Sequence, residues 1–331
     1  MDLFELTKSL VNMASVTGHE KACGEFVKGY LAQLGFQAEL MPVSRDRSNV
    51  YATLGKPDVV LSTHMDTVPP FFPAHEDADH IYGRGSCDAK GILAAQLTAA
   101  ARLKNESVED IALLFLVGEE TVSDGAREAN LHPRGSRYII NGEPTDNKLV
   151  IGCKGNLRVD LRAHGKMAHS AYPHLGINAI DKLLDVLTDL RKIQLSVSPV
   201  LGPATMNIGV LTGGRAANVI PDEATAQIMI RTVENSEPLR RRITEIIADR
   251  CEFLFVRDTP VLMMEQLDGY ETDVVAFTTD LPSLSNWGRP LLLGPGSITT
   301  AHTEREFVRK TDLVQAAELY YRLVKELKSR N

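Results

Sequence analysis

Two carboxylates stand side by side at Glu119 and Glu120, directly after the apolar run Ile111 to Val117. Adjacent acids at a buried strand end repel each other and lose hydration. Solvent relieves that strain at a surface; a bound cation relieves it inside a pocket. In the pocket, one Glu ligates the cation and the other takes a proton from water. His64 and Asp66 form a second unit of chemistry. Residues i and i+2 of an extended segment share a face. An imidazole there can bind metal while a neighbouring carboxylate orients it, although an HxD pair is also an ordinary polar strand end. Asp88, in YGRGSCDAKG, precedes an Ala-rich stretch. It suits a helix N-cap and equally a metal ligand, since a carboxylate has two oxygens. Gly83, Gly85 and Gly91 permit close backbone approach, without the GxxxxGKS/T spacing of a phosphate loop. Glu143, before Pro144, and His302, in SITTAHTE, each end a further apolar run. A strand-end His is also a common structural residue. Taken together, these groups form the inventory of a two-metal site, in which a carboxylate bridges ions about 3.5–4 Å apart. The sulfur-free set suits zinc and tolerates cobalt or manganese.

Such residues need a scaffold that brings them together. DVVLSTHMDT, IALLFLVGEE, RYIINGEPT and RPLLLGPGSITTAH are short apolar runs ending in polar chemistry. Alternating with helices, they predict a mostly parallel α/β sheet with helices on both faces. In such sheets ligands bind beyond the carboxyl ends of the strands. Helices are predicted over residues 3–14, from a capping box of Thr17 and Glu20 to about Leu34, and over the Ala-rich stretch capped by Asp88. The final helix is predicted from Thr303, with Glu306 completing its capping box.

The middle of the chain has another pattern. NLRVDLRAHG alternates strictly, as a half-buried strand does. An amphipathic helix, two strands, a helix capped by Ser236 and a last strand follow, an order that gives a ferredoxin-like split-βαβ unit. The predicted organisation is a catalytic domain over residues 1–152 and 266–331, interrupted by an inserted domain over 153–265.

The 331 residues, 44% hydrophobic and 24% charged, suffice for two domains. A net charge of -7 leaves no footprint for nucleic acid. No apolar run approaches the ~18 residues of a membrane span. Asp2 and Glu5 stand where a secretory leader carries basic residues, and the four cysteines have no paired spacing. A cytoplasmic protein with no membrane or nucleic-acid partner is expected.

HMDTVP, YGRGSCDAKG, GEE, NGEPT and AHTE, in this order over nearly the whole chain, resemble the M20 family of metallopeptidases and deacylases. The resemblance implies an amide hydrolase with two zinc ions per subunit. It implies His64 and Glu143 as ligands of one ion, Glu120 and His302 of the other, and Asp88 as the bridge, followed by a cis peptide. Glu119 is implied as general base and Asp66 as its supporting acid. It further implies that the inserted domain is a lid and homodimerisation module. There His169 assists the oxyanion, from its own or the partner subunit, while Asn218 and Arg231 meet substrate. An Arg fork suits a carboxylate, although a surface ion pair would use it as well. GPGS, with Gly296, resembles the acetylornithine deacetylases of the family. The expected substrate is therefore a small N-acyl amino acid, foremost N2-acetyl-L-ornithine in arginine biosynthesis. Succinyl-diaminopimelate, other N-acyl amino acids, and dipeptides or carboxypeptidase substrates are the alternatives.

Overall fold

In the computed structural model, which describes residues 1–330, the four apolar runs become neighbouring strands of one sheet. Ile111–Leu116, Val59–His64, Tyr138–Asn141 and Arg289–Leu292 lie in that order and run parallel. An antiparallel pair, Gln37–Ser44 and Arg47–Leu54, extends the sheet beyond Ile111–Leu116. Every residue of Val59–His64, Ile111–Leu116 and Tyr138–Asn141 is buried. Burial on both faces is what continuous Val, Ile and Leu runs require. Because the four strands share one direction, the loops carrying His64, Glu119 and Glu143 leave the same edge.

The Ala-rich helix Lys90–Asn105 packs on Val59–His64 and on the last helix, Lys310–Ser329. Ala94, Ala95, Ala99 and Ala100 are buried against these neighbours. Small residues let the helix approach closely. Leu93, Leu97 and Leu103 fill the same core, where truncating one leucine costs about 2–5 kcal/mol.

Several predicted helix starts and stops are corrected. The first helix is Leu3–Val11, capped by Asp2, and stops short of residue 14. The chain there turns extended to pair with the HMDT loop, through Thr17 N to Thr67 O and Thr67 N to Ser15 O. The second helix, Lys21–Gln33, has no capping box. Thr17 instead donates to Asp66 Oδ2 at 2.7 Å, and Glu20 accepts from Arg47 Nη2 at 2.8 Å. Ala89, not Asp88, occupies the N-cap of the Ala-rich helix. Ser236 stands at an N-cap without making the cap bond, because its hydroxyl donates to Asp258 at 2.8 Å. The last helix begins at Lys310, and Glu306 lies outside it.

The chain divides into two units. The larger holds Met1–Ile151, Met264–Asp273 and the residues from Thr279 on; the smaller holds Gly152–Met263 and Val274–Thr278. The smaller unit is a four-stranded antiparallel sheet in the order Thr205–Gly213, Glu223–Thr232, Gly155–His164, Glu252–Thr259. Its helices are Ala179–Leu190 and Glu237–Ile247. The alternation read in the sequence puts Leu157, Val159, Leu161 and Ala163 in a core with Leu183, Val186 and Ile243. Asn178 caps the first helix, accepting from the Ile180 and Asp181 amides. Among the described residues, no helix is long and apolar enough to cross a membrane.

Candidate metal centre

His64 is the last residue of its strand and is buried. Its Nδ1 lies 3.0 Å from the Asp66 carbonyl, an acceptor only. Nδ1 therefore carries the proton, and Nε2 of a neutral ring is an acceptor. That Nε2 faces Asp88 Oδ1 at 2.9 Å. Two acceptors at this distance require a proton or a cation between them. The same holds on the other side of Asp88. His302 Nε2 lies 3.3 Å from Asp88 Oδ2 and 2.9 Å from Glu120 Oε2.

Glu143 completes the first group. Potential ligand atoms of His64, Asp88 and Glu143 lie within 4.8 Å of one another, as do those of Asp88, Glu120 and His302. Asp88 belongs to both clusters. Glu143 is buried, and its Oε1 has no hydrogen-bond partner. An orphaned buried carboxylate oxygen, paired acceptors and an N/O donor set all fit two divalent cations sharing one carboxylate.

The electrostatics agree. Burial raises the pKa of Glu143 well above the usual range, and the charge of Glu119 adds to this. Burial likewise raises Glu119, against the opposing charge of His64. Burial alone would lower His64, but hydrogen bonds to Asp66 and Asp88 raise it well above its ordinary value. Hydrogen bonds to Asp88 and Glu120 raise His302 to about 10. Burial opposes ionisation of Asp88, yet hydrogen bonds from His302 and His64 hold its pKa low. These are carboxylates crowded until a positive charge stabilises them.

Asp66 braces the group. It is buried and accepts the Thr17 hydroxyl at 2.7 Å, the Glu119 amide at 3.1 Å and the Glu120 amide at 3.3 Å. One carboxylate thus fixes the backbone of the acid pair beside the His64 ring. Glu119 remains partly exposed. The Asp88–Ala89 peptide is cis, as the resemblance implies. His302 does not end a strand; it sits in the loop after Arg289–Leu292 with φ 62°. The GPGS segment lines the neighbouring loop. A Cβ on Gly294 would lie 2.4 Å from Glu143 O, and one on Gly296 2.6 Å from Cys87 Sγ.

The larger unit thus gathers His64, Asp66, Asp88, Glu119, Glu120, Glu143 and His302, with Gly296 beside Cys87. The other expected residues lie in the smaller unit. His169 pairs with Val219, and the Ser170 amide donates to Asn218 O, so the His169 and Asn218 loops adjoin. Arg231 is the penultimate residue of its strand, opposite Thr205 and Asn156 and away from those loops in register. Its Nη1 is buried without a partner. Burial lowers its pKa, and the charge of Arg257 lowers it further.

Two residues near the site escaped the sequence. Asp280 is buried, and burial raises its pKa to about 7. It lies in an irregular stretch without periodicity, which offers no signal. Glu306 carried a signal that pointed elsewhere, to a helix cap.

The model of Peptidase family M20/M25/M40 matches residues 60–326. A Schizosaccharomyces pombe peptidase M20 domain-containing protein is 41% identical, over 98% of this chain and 84% of its own length. A protein of Uncinocarpus reesii named "Probable carboxypeptidase" is 33% identical, over 98% of this chain and 86% of its own. A crystal structure of a Staphylococcus aureus tripeptidase has the same fold, with a TM-score of 0.87 at 20% identity, over 99% of this chain and 98% of that one. With two metal-type clusters sharing Asp88 at the strand ends, the chain belongs to peptidase family M20/M25/M40 and is a metal-dependent hydrolase of amide or peptide bonds.

Proposed function

We propose that this hydrolase acts as a carboxypeptidase, releasing the C-terminal amino acid of a short peptide or N-acyl amino acid. The observation that carries the chemistry is the pair of clusters joined by Asp88, with Glu119 beside them. The carboxypeptidase assignment draws on the U. reesii relative's name and on the unpartnered buried Nη1 of Arg231. Zinc is the proposed metal, held by His64, Asp88 and Glu143 on one side and by Asp88, Glu120 and His302 on the other.

Bound zinc supplies Lewis acidity and lowers the pKa of water. Glu119 removes a proton from the attacking water, and its raised pKa lets it return that proton to the leaving nitrogen. The C–N bond breaks, leaving a carboxylate and a free amine. Asp66 holds the His64 ring and the Glu119 backbone in register throughout. His169, from its own or the partner subunit, donates a hydrogen bond to the oxyanion. Arg231 receives the substrate's carboxylate through its fork. Asn218 and the backbone at Gly296 complete the substrate contacts. The smaller unit acts as lid and pairing surface. Its edge strand Thr205–Gly213 exposes Val210 and Leu211, and sedimentation analysis tests the resulting dimer.

A substrate panel decides the specificity. It contains N-blocked dipeptides, their C-terminal amides, free dipeptides and tripeptides, N-acetylornithine and succinyl-diaminopimelate. The expected result is release of free amine from N-blocked dipeptides with a free carboxylate, and none from their amides. Hydrolysis of N-acetylornithine with blocked dipeptides untouched would instead establish the deacetylase alternative.

A further inference from the structure

Glu306 is fully buried, yet it is neither a candidate ligand nor a helix cap. Its Oε1 accepts three backbone amides: Gly85 at 3.0 Å, Cys87 at 3.1 Å and Asp88 at 3.0 Å. Its Oε2 meets Arg84 Nη1 at 2.5 Å, with both side chains almost wholly buried. Its backbone carbonyl also accepts the Gly83 amide at 3.1 Å. One residue therefore holds the whole loop that presents Asp88. Glu306 also belongs to the loop that presents His302, and it stands 218 residues from Asp88 in sequence. A buried ion pair is an expensive way to stabilise a loop, because desolvation offsets most of the attraction. Its return here is geometric. It joins the two segments whose side chains meet across the second cluster, His302 Nε2 and Asp88 Oδ2 at 3.3 Å.

We propose that Glu306 is a positioning residue that fixes Asp88 against His302 and thereby sets the affinity of the Asp88/Glu120/His302 cluster for its ion. The proposal rests on the dinuclear assignment above. The first cluster shares Asp88 but takes His64 and Glu143 from elsewhere, whereas the second takes both Asp88 and His302 from the segments that Glu306 joins, so the second is affected more.

Zinc titration of the full chain against a competing chelator tests this, reading two successive affinities. Glu306→Gln keeps the size but removes the charge facing Arg84. It is expected to weaken one zinc equivalent about 10–100-fold while the other is weakened less. Glu306→Asp, which withdraws the carboxylate by one methylene, is expected to show the same selective loss to a smaller degree, and serves if the Gln variant does not fold. Leu313→Ala opens the small adjoining core of Ile81, Val308 and Leu313; it is expected to lower the melting temperature and leave both affinities intact. Two wild-type affinities in the foldable Glu306 variant would overturn the proposal. So would an equal loss of the second ion in Leu313→Ala, since that marks a merely structural role. A wild-type chain binding fewer than two zinc ions would instead sink the dinuclear assignment itself.

Discussion

Asp88 has two oxygens and faces two imidazoles, each of which already needs something positive between itself and that carboxylate. This gives metal binding a definite pH dependence. The pKa of His302 rises from an ordinary 6.5 to about 10. A raised histidine pKa favours the folded chain fully below 6.5, and that contribution is lost as pH climbs through about 10. The same proton competes with a cation, so zinc affinity should increase as pH rises across this window. Calorimetric titration in two buffers of different ionisation enthalpy is expected to record proton release on zinc binding at pH 7.5; zero release would contradict it. Glu119 separates binding from chemistry. Glu119→Gln is expected to keep two zinc ions while lowering kcat by about 10²–10⁴-fold, measured by metal analysis alongside turnover. Residue types singled out His64, Asp88, Glu120, Glu143 and His302, and the structure brings them into two clusters that share Asp88. Glu306 was misread for a physical reason: a Thr three residues before a Glu is the local signature of a capping box. What that carboxylate accepts is the backbone of a loop more than two hundred residues earlier, which no local pattern encodes.

Strands conveyed their positions better than helix ends did. Val59–His64, Ile111–Leu116 and Tyr138–Asn141 are continuous apolar runs, and a run buried on both faces admits few alternatives. Predicted cap bonds failed wherever the capping side chain had a tertiary partner. Thr17 is taken by Asp66, Glu20 by Arg47 and Ser236 by Asp258. Asp88 was read both as a cap and as a metal ligand; Ala89 holds the N-cap, and Asp88 faces two histidines. The strand end at Gly142 shows how tightly these elements close on the site. A Cβ there would lie 2.2 Å from Ile92 Cγ2 and 2.7 Å from Gln96 Nε2. Gly142→Ala must push the Ala-rich helix away or shift Glu143. It is expected to destabilise the protein by about 1–3 kcal/mol in urea denaturation. An unchanged midpoint would mean that the contact relaxes freely.

The two units are built on different frames. The larger gathers the charged centre at one sheet edge; the smaller carries His169, Asn218 and Arg231 on its own antiparallel frame. Along the chain, strict alternation replaces continuous apolar runs in the middle. Substrate identity was less legible, because loop residues carry no periodicity. Arg231→Met should raise KM for a substrate with a free carboxylate about 10–100-fold, the worth of a charge-assisted pair. It should leave the zinc content unchanged, and an unchanged KM would remove Arg231 from the substrate site. The central claim is metal-dependent amide hydrolysis at the Asp88-bridged centre. Its most direct test is release of free amine from an N-blocked dipeptide by the zinc-loaded chain, by the same chain after chelation, and after zinc is restored. Turnover that vanishes on chelation and returns with two equivalents of zinc is the expected result. Undiminished turnover in protein stripped of metal would contradict it.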